Sequence, residues 1–318
     1  MSTPFHIKPL VAAAALVLGC SGVALAGATA RSPTIAGCPV FPASNPWNEK
    51  VDTLPVASNS AKLIASIGVG TAVHADFGGG LYNGSRIGIP YVVVHASATL
   101  KSRVTFEYAD ESDKGPYPIP PNVPVEGYPQ HADQGDRHML IVDRDTCRLY
   151  ELSGMSKRGG QWSGWSGAIW NLRSNAVRPA GWTSADAAGL PILPGLARWE
   201  GDASTGTIRH ALRFTAERTR RAYVYPARHY ASSATDPSLP PMGVRVRLKA
   251  SVDIARLPRQ ARIVAQAMKT YGLILADNGS NWYVTGAPSP KWSNTELHAL
   301  GGLTGADFEV VDTSKLRP

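Results

Sequence analysis

Short apolar runs broken by Gly and Pro dominate this chain. Ile89–Ala96 is a continuous, β-branched run, the pattern of a buried strand. Arg103–Tyr108 alternates, and His138–Leu152 reads as two strands joined near Asp143–Asp145. Ile208–Tyr225 reads as a hairpin turning around Glu217–Arg220. In Val244–Val252, Val244, Val246, Leu248 and Ala250 point one way, and Arg245, Arg247, Lys249 and Ser251 the other. That alternation predicts a half-buried strand with a wet basic face.

Helical signals are fewer. Asn59–Ile67 can form a short helix closed by Gly68. Pro258–Tyr271 has Pro in its first turn, Gly272 just past its end, and one apolar face of Ile263, Val264, Ala267, Met268 and Tyr271. Ser293–Glu296 is a capping box, with Trp292 and Leu297 as its hydrophobic staple and Gly301 as its stop. No convincing helix falls between residues 89 and 252, which argues against a doubly wound α/β sheet. The Pro-rich stretch 115–129 carries Tyr117, Ile119, Val123, Val125 and Tyr128, so it reads as an ordered loop packed on the domain. The expected fold is therefore mainly β: a β-sandwich or jelly-roll-like single domain over residues 38–318, with one short N-terminal helix and two C-terminal helices.

Composition agrees. With 43% hydrophobic and 18% charged residues among 318, the chain has enough apolar content for a core, and its 31 Gly and 25 Pro follow no fixed period. Residues 1–26 read as a secretory signal, with Lys8, an apolar Leu10–Ala26 run and a small-x-small Ala24-Leu25-Ala26 end. A minority alternative is lipidation at Cys20, since Val17–Cys20 resembles a lipobox. Either route leaves Cys38 and Cys147, an even pair that reads as a disulfide in an oxidising compartment. No other run is apolar and long enough to cross a membrane. The net charge of +8 suits acidic glycans, cell-wall polymers or membrane surfaces. A nucleic-acid partner is not expected, because the basic residues merely alternate along strands and no reading motif is present.

Standard catalytic motifs are absent: there is no G-x-S-x-G, P-loop, H-E-x-x-H or C-x-x-C. Three segments remain. His74 and Asp76 share a face of an extended run, followed by Gly78–Gly80; the plain alternative is a turn with a surface His. Asp136 and His138 repeat that spacing at the entry to a strand, where the plain alternative is a surface Asp136–Arg137 pair. The stretch Trp162–Glu200 holds five of the eight tryptophans together with Asn171, Arg178 and Asp186. Flat indoles stack on sugars, although any single Trp is more often core. Glu126 is a further available acid, Arg228 could meet an anion, and Asp277 lies in a turn-like Asp277–Ser280 that could edge a pocket.

Residues 38–48, 135–151, 167–196 and 275–283 resemble a group of uncharacterised secreted bacterial single-domain proteins. The resemblance implies export and a single domain, and carries over no catalytic residue. The residues themselves lead to a secreted carbohydrate-active enzyme, a glycoside hydrolase working through two carboxylates on a polysaccharide or cell-wall glycan, without a cofactor. The expected carboxylates are Asp76 and Asp186, with Glu200 in reserve. His74 or His138 would orient them, and Trp170, Asn171, Arg178, Trp182, Arg228 and Asp277 would hold sugar. Two alternatives stay open: a non-catalytic glycan-binding protein, and a metal-dependent enzyme using His74, Asp76 and His138.

Overall fold

A computed structural model describes Met1, Ser2 and residues 32–316. The expected signal segment with Ala26, and Cys20, lie outside the described residues. Ten strands build the two larger sheets. In chain order they are β1 (His74–Asp76), β2 (Tyr91–Val94), β3 (Met139–Asp143), β4 (Arg148–Ser153), β5 (Ser166–Asn171), β6 (Leu212–Ala216), β7 (Arg245–Leu248), β8 (Leu273–Asn278), β9 (Tyr283–Thr285) and β10 (Phe308–Val310). The four-stranded sheet has the order β5-β4-β3-β2, and the six-stranded sheet β10-β7-β8-β6-β9-β1. Three helices, α1 (Ser60–Ile67), α2 (Arg259–Thr270) and α3 (Asn294–His298), complete a mainly β unit spanning Arg31–Pro318. None of them is long and apolar enough to cross a membrane.

Strand β3 is buried along its whole length because both faces of its sheet are covered. Leu140 and Val142 enter the main core, while Met139 and Ile141 enter a second cluster around Tyr117, Ile119 and Leu152. The Pro-rich loop supplies Tyr117 and Ile119 to that cluster, which is why it is ordered. Cys38 and Cys147 are bonded, tying the N-terminal segment to the β3–β4 turn across 109 residues.

Pairing is mixed rather than purely antiparallel. β2 runs parallel to β3, β6 to β8, and β9 to β1. The expected hairpin in 208–225 forms only its first limb. β6 pairs with β8 and β9 instead, and residues 217–225 form no strand. The wet basic face expected on 244–252 is found only at its end, where Lys249 is half-buried and Ser251 exposed; Arg245 and Arg247 are withdrawn from water. β7 lies between β10 and β8, so Arg245 is buried, and its guanidinium donates to the carbonyls of Pro46, Glu49 and Tyr271. Arg247 pairs with Glu309 at 2.8 Å. The edge strand β2 is only half-buried over most of its length, not the fully buried strand its composition suggests.

The helices follow their signals closely. Pro258 stands at the N-cap of α2, and Gly272 follows it with φ 71°. At α3 the Ser293 hydroxyl accepts from the Glu296 N–H at 3.3 Å. The reciprocal half of the box is redirected: the Glu296 carboxylate accepts from the Gln260 N–H, and Gln260 Oε1 accepts from the Ser293 N–H. One cap thereby clamps α3 to the start of α2.

Candidate active site: a carboxylate-lined cleft around Arg213

Arg213 sits inside a strand whose neighbours Leu212 and Phe214 are core residues. Its own side chain, on the other face, is 4% exposed. A buried guanidinium must be paired and hydrogen-bonded. The pairing comes from three directions. Asp186, from the loop after β5, takes a bidentate pair of bonds, Nε–Oδ2 at 3.1 Å and Nη2–Oδ1 at 2.8 Å. Thr285, at the end of β9, accepts from Nη1 at 2.7 Å. Asp277, on β8, places Oδ2 3.7 Å from the same Nη2. Two carboxylates thus converge on one nitrogen.

The loop that delivers Asp186 is held by Ser184. Its hydroxyl accepts from the Asp186 N–H at 2.9 Å and donates to the Leu190 carbonyl at 2.5 Å. The preceding carbonyl, Ala185 O, meets His138 Nε2 at 2.9 Å. His138 Nδ1 meets Glu126 Oε2 at 2.6 Å. A carbonyl and a carboxylate both need a donor, so His138 donates from both nitrogens and is an imidazolium. Burial opposes that charge, but the Glu126 carboxylate outweighs burial and raises the His138 pKa to about 9. Burial likewise raises Glu126, and the imidazolium more than reverses it, so the Glu126 pKa is lowered.

The remaining carboxylates are poised differently. Burial, reinforced by the Asp186 charge, pushes Asp277 up to about 7. Its side chain keeps 22% of its surface open to the cleft. Burial, then Glu126, raises Asp76, while His74 and Arg213 partly offset this. Asp136 is exposed and has no ion pair among the described residues. Its neighbour Arg137 donates instead to the carbonyls of Met155, Gly135 and Gly154, and lies over the Trp165 ring at 5.0 Å.

Three cavities adjoin through shared walls. One of about 180 Å³ is lined by Asp136, His138, Asp186 and Asp277, with Tyr108 and Trp165 as its aromatic sides. A second, about 440 Å³, shares Asp136 and adds Asp76, Glu126, Tyr82 and Arg86. A third, about 670 Å³, shares Arg86 and adds Tyr91, Tyr128 and Glu200. The hairpin Leu81–Tyr82/Ser85–Arg86 forms one wall. It is tied down by Ser85 Oγ donating to the Gly127 carbonyl at 2.6 Å and by the Arg86 N–H donating to the Tyr128 carbonyl at 2.8 Å.

No family model, curated protein or solved structure matches the chain. The site therefore rests on its own geometry.

Of the residues singled out from sequence, Asp76, His138, Asp186 and Asp277 come from four distant segments and converge on this cleft. Asp186 is not available as a catalytic acid or nucleophile: it is 1% exposed, and both its oxygens are held by Arg213. His74 is exposed and stacked on Tyr283 at 4.2 Å, beside Asp76 on the same strand. Glu200 accepts from Ser289 Oγ and lines only the third cavity, apart from the Arg213 cluster. Asp277 is no turn residue; it is still within strand β8, which is what aims it into the cleft.

The expected sugar-binding set is corrected. Trp170 is core, its indole N–H donating to Glu151 at 3.1 Å. Arg178 is buried between the Trp170 and Trp182 rings and donates to Asp113 and to the carbonyls of Glu111 and Thr183. Arg228 donates to the Arg178 carbonyl, and Asn171 accepts from the Arg173 N–H within its own turn. These groups fold the 171–189 loop rather than facing the cleft. The aromatic residues that do face it are Tyr108, Trp165, Tyr82, Tyr91 and Tyr128. The metal reading fails on His138, whose two nitrogens are both donors, and no group of three His, Cys, Asp or Glu among the described residues is arranged for a metal ion.

Proposed function

We propose that this protein is an exported glycoside hydrolase that cleaves a polysaccharide with Asp277 as general acid and Asp136 as the second carboxylate. The observation that carries the reading is that pair. One is a largely buried acid raised to about 7, the other an exposed carboxylate, and both face a single cavity flanked by Tyr108 and Trp165. Pairs of acids with divergent environments are how such sites divide their roles. Asp277 would give its proton to the glycosidic oxygen as the bond to the anomeric carbon breaks. Asp136 would take the proton of the attacking water, or form the bond to that carbon first. The Asp186–Arg213 pair positions Asp277 without touching substrate. The adjoining cavities and the exposed Tyr82 and Tyr128 rings, at 70% and 47%, support a chain-like substrate over a single sugar. Export is supported by the Cys38–Cys147 disulfide and the apolar Leu10–Ala26 run.

The test is release of reducing ends from a panel of neutral, amino and acidic polysaccharides. The expected result is turnover of at least one of them, falling by about 10²–10⁴-fold in Asp277→Asn and in Asp136→Asn, the range of general acid–base contributions. Turnover persisting in both variants, or glycan binding with no turnover at all, would overturn the hydrolase reading. The second outcome would point to a binding module.

A further inference from the structure

The largest cavity of the cleft, about 670 Å³, lies along β2, the outer strand of the four-stranded sheet. Backbone groups of successive strand residues point to opposite sides. On one side, the Val94 carbonyl accepts from the Arg144 N–H at 3.1 Å, beside β3. On the other, the Ile89 N–H donates to the Gly286 carbonyl at 3.0 Å. Tyr91 and Val93 share the parity of Ile89, so their N–H and C=O groups turn away from β3. None of these four groups has a hydrogen-bond partner among the described residues. Tyr91, Val92 and Val93 all line the cavity. Free edges are normally guarded by charge, by a bulge or by a covering element. This one carries no charged residue over Tyr91–Val94, and its register with β3 is unbroken.

The cavity has walls on both faces of that edge. Val123 packs on the cluster around Tyr117, and Ala287 belongs to the main core. Pro124 and Pro288 extend the apolar lining. Two exposed charges complete it, Arg86 and Glu200, and neither is in an ion pair among the described residues. The Glu200 carboxylate accepts only from Ser289 Oγ, at 3.2 Å.

We propose that the free edge of β2 takes an extended peptide as an added strand, and that this peptide is a branch of the polysaccharide bound in the cleft. Tyr91 and Val93 offer two donors and two acceptors at strand spacing, the complement of a peptide backbone, and the apolar walls receive its side chains. Arg86 meets a carboxylate of the peptide and Glu200 an ammonium. The branch assignment follows from Arg86, which lines this cavity and the next, and the next leads through Asp136 to the acid pair. That assignment rests on the hydrolase reading; the docked strand does not.

The probe is an end-blocked tetrapeptide, alanine–glutamate–lysine–alanine, titrated calorimetrically into the full chain and followed by amide hydrogen exchange. Saturable one-to-one binding is expected, with exchange at Tyr91 and Val93 slowed about tenfold or more at saturation. Methylating the backbone nitrogens of the peptide should abolish binding, a readout that needs no change in the protein. Val93→Pro deletes one outward N–H, leaves the β3 pairing intact and should weaken binding about 2–10-fold. Arg86→Gln should weaken it about 2–5-fold, the worth of an exposed ion pair. No saturable binding, binding with unchanged exchange at Tyr91 and Val93, or equal affinity for the methylated peptide would overturn the docked strand. For the branch assignment, a peptide-bearing cell-wall glycan and the same glycan stripped of its peptides are compared as substrates. A KM about fivefold or more lower for the first is expected, because the peptide contacts are the same in ground and transition states. Equal KM values would overturn the branch assignment and point to a separate peptide partner. Turnover of other polysaccharides but of neither of these would overturn the branch assignment alone. Turnover of no polysaccharide, with the tetrapeptide still bound, would overturn the hydrolase reading and the branch with it, and leave the docked strand standing.

Discussion

Replacing Arg213 by Met removes one charge from the middle of the cluster and keeps most of the side-chain volume. Asp186 would then stand 1% exposed with neither of its oxygens held by the guanidinium. Breaking a buried ion pair from one side costs about 3–5 kcal/mol, because the surviving charge is left uncompensated. Thr285 also loses its donor, and Asp277 loses the only cation within 4 Å of it among the described residues. Against a total stability on the order of 5–15 kcal/mol, this is a large fraction. The double variant Arg213→Met/Asp186→Leu removes both charges together and should recover at least about 2 kcal/mol of the loss, since paired removal is often close to neutral. Guanidinium unfolding followed by tryptophan fluorescence measures both; Trp282, stacked between Phe214 and Phe308, reports on the sheet that carries Arg213. A single variant within 1 kcal/mol of the parent, or a double variant no more stable than the single, would refute the view that Asp186 and Arg213 form a coupled buried pair.

The other predictions concern pH, the disulfide and the chemistry of the cleft. Asp277 is raised from near 4 to about 7, so its contribution is present at acid pH and lost as pH rises through 7; His138, raised to about 9, loses its contribution as pH rises from 6.5 through 9. Glu126 is lowered, so its contribution disappears below about pH 4. Denaturation midpoints should therefore peak on the acid side of neutrality and fall from pH 6 to pH 9.5; a midpoint rising over that interval would contradict the signs. Replacing Cys38 and Cys147 by Ser opens a loop of 109 residues and should destabilise by up to about 4.7 kcal/mol on the chain-entropy estimate, read by denaturation with and without reductant. A loss below 1 kcal/mol would mean that the open chain is already compact. Catalysis should fail on its alkaline side as Asp277 loses its proton near pH 7, and a rate still rising beyond pH 8 would remove Asp277 as the acid.

Much of the framework was legible because local chemistry determined it. The caps of α2 and α3, the 138–152 hairpin and the cysteine pair each depend on residues close in sequence or on simple parity. Period-2 alternation was less informative. It cannot distinguish an arginine facing water from one bonded to carbonyls, which is why Arg245 was expected in solvent and lies inside. The failed 208–225 hairpin has the same origin: β6 finds its partners at β8 and β9, some sixty residues on, and no local pattern reveals that. Within the site, Asp76, His138, Asp186 and Asp277 were visible as isolated polar residues, but their convergence was not. Arg213 was missed altogether. The available signal was a lone arginine between Leu212 and Phe214 in an apolar strand, a position that needs a buried counter-ion. The tryptophans misled because composition does not distinguish an indole on a cleft wall, such as Trp165, from one in the core, such as Trp170.

The central claim is that burial and the neighbouring Asp186 carboxylate, against the opposing pull of Arg213, keep Asp277 protonated near neutrality while it faces Asp136. Carbon-13 carboxyl NMR titration of the parent and Asp277→Asn proteins tests this most directly. A carboxyl titrating near pH 7 that disappears in Asp277→Asn is the predicted result. A titration of Asp277 below pH 5, with the native fold intact, would contradict it.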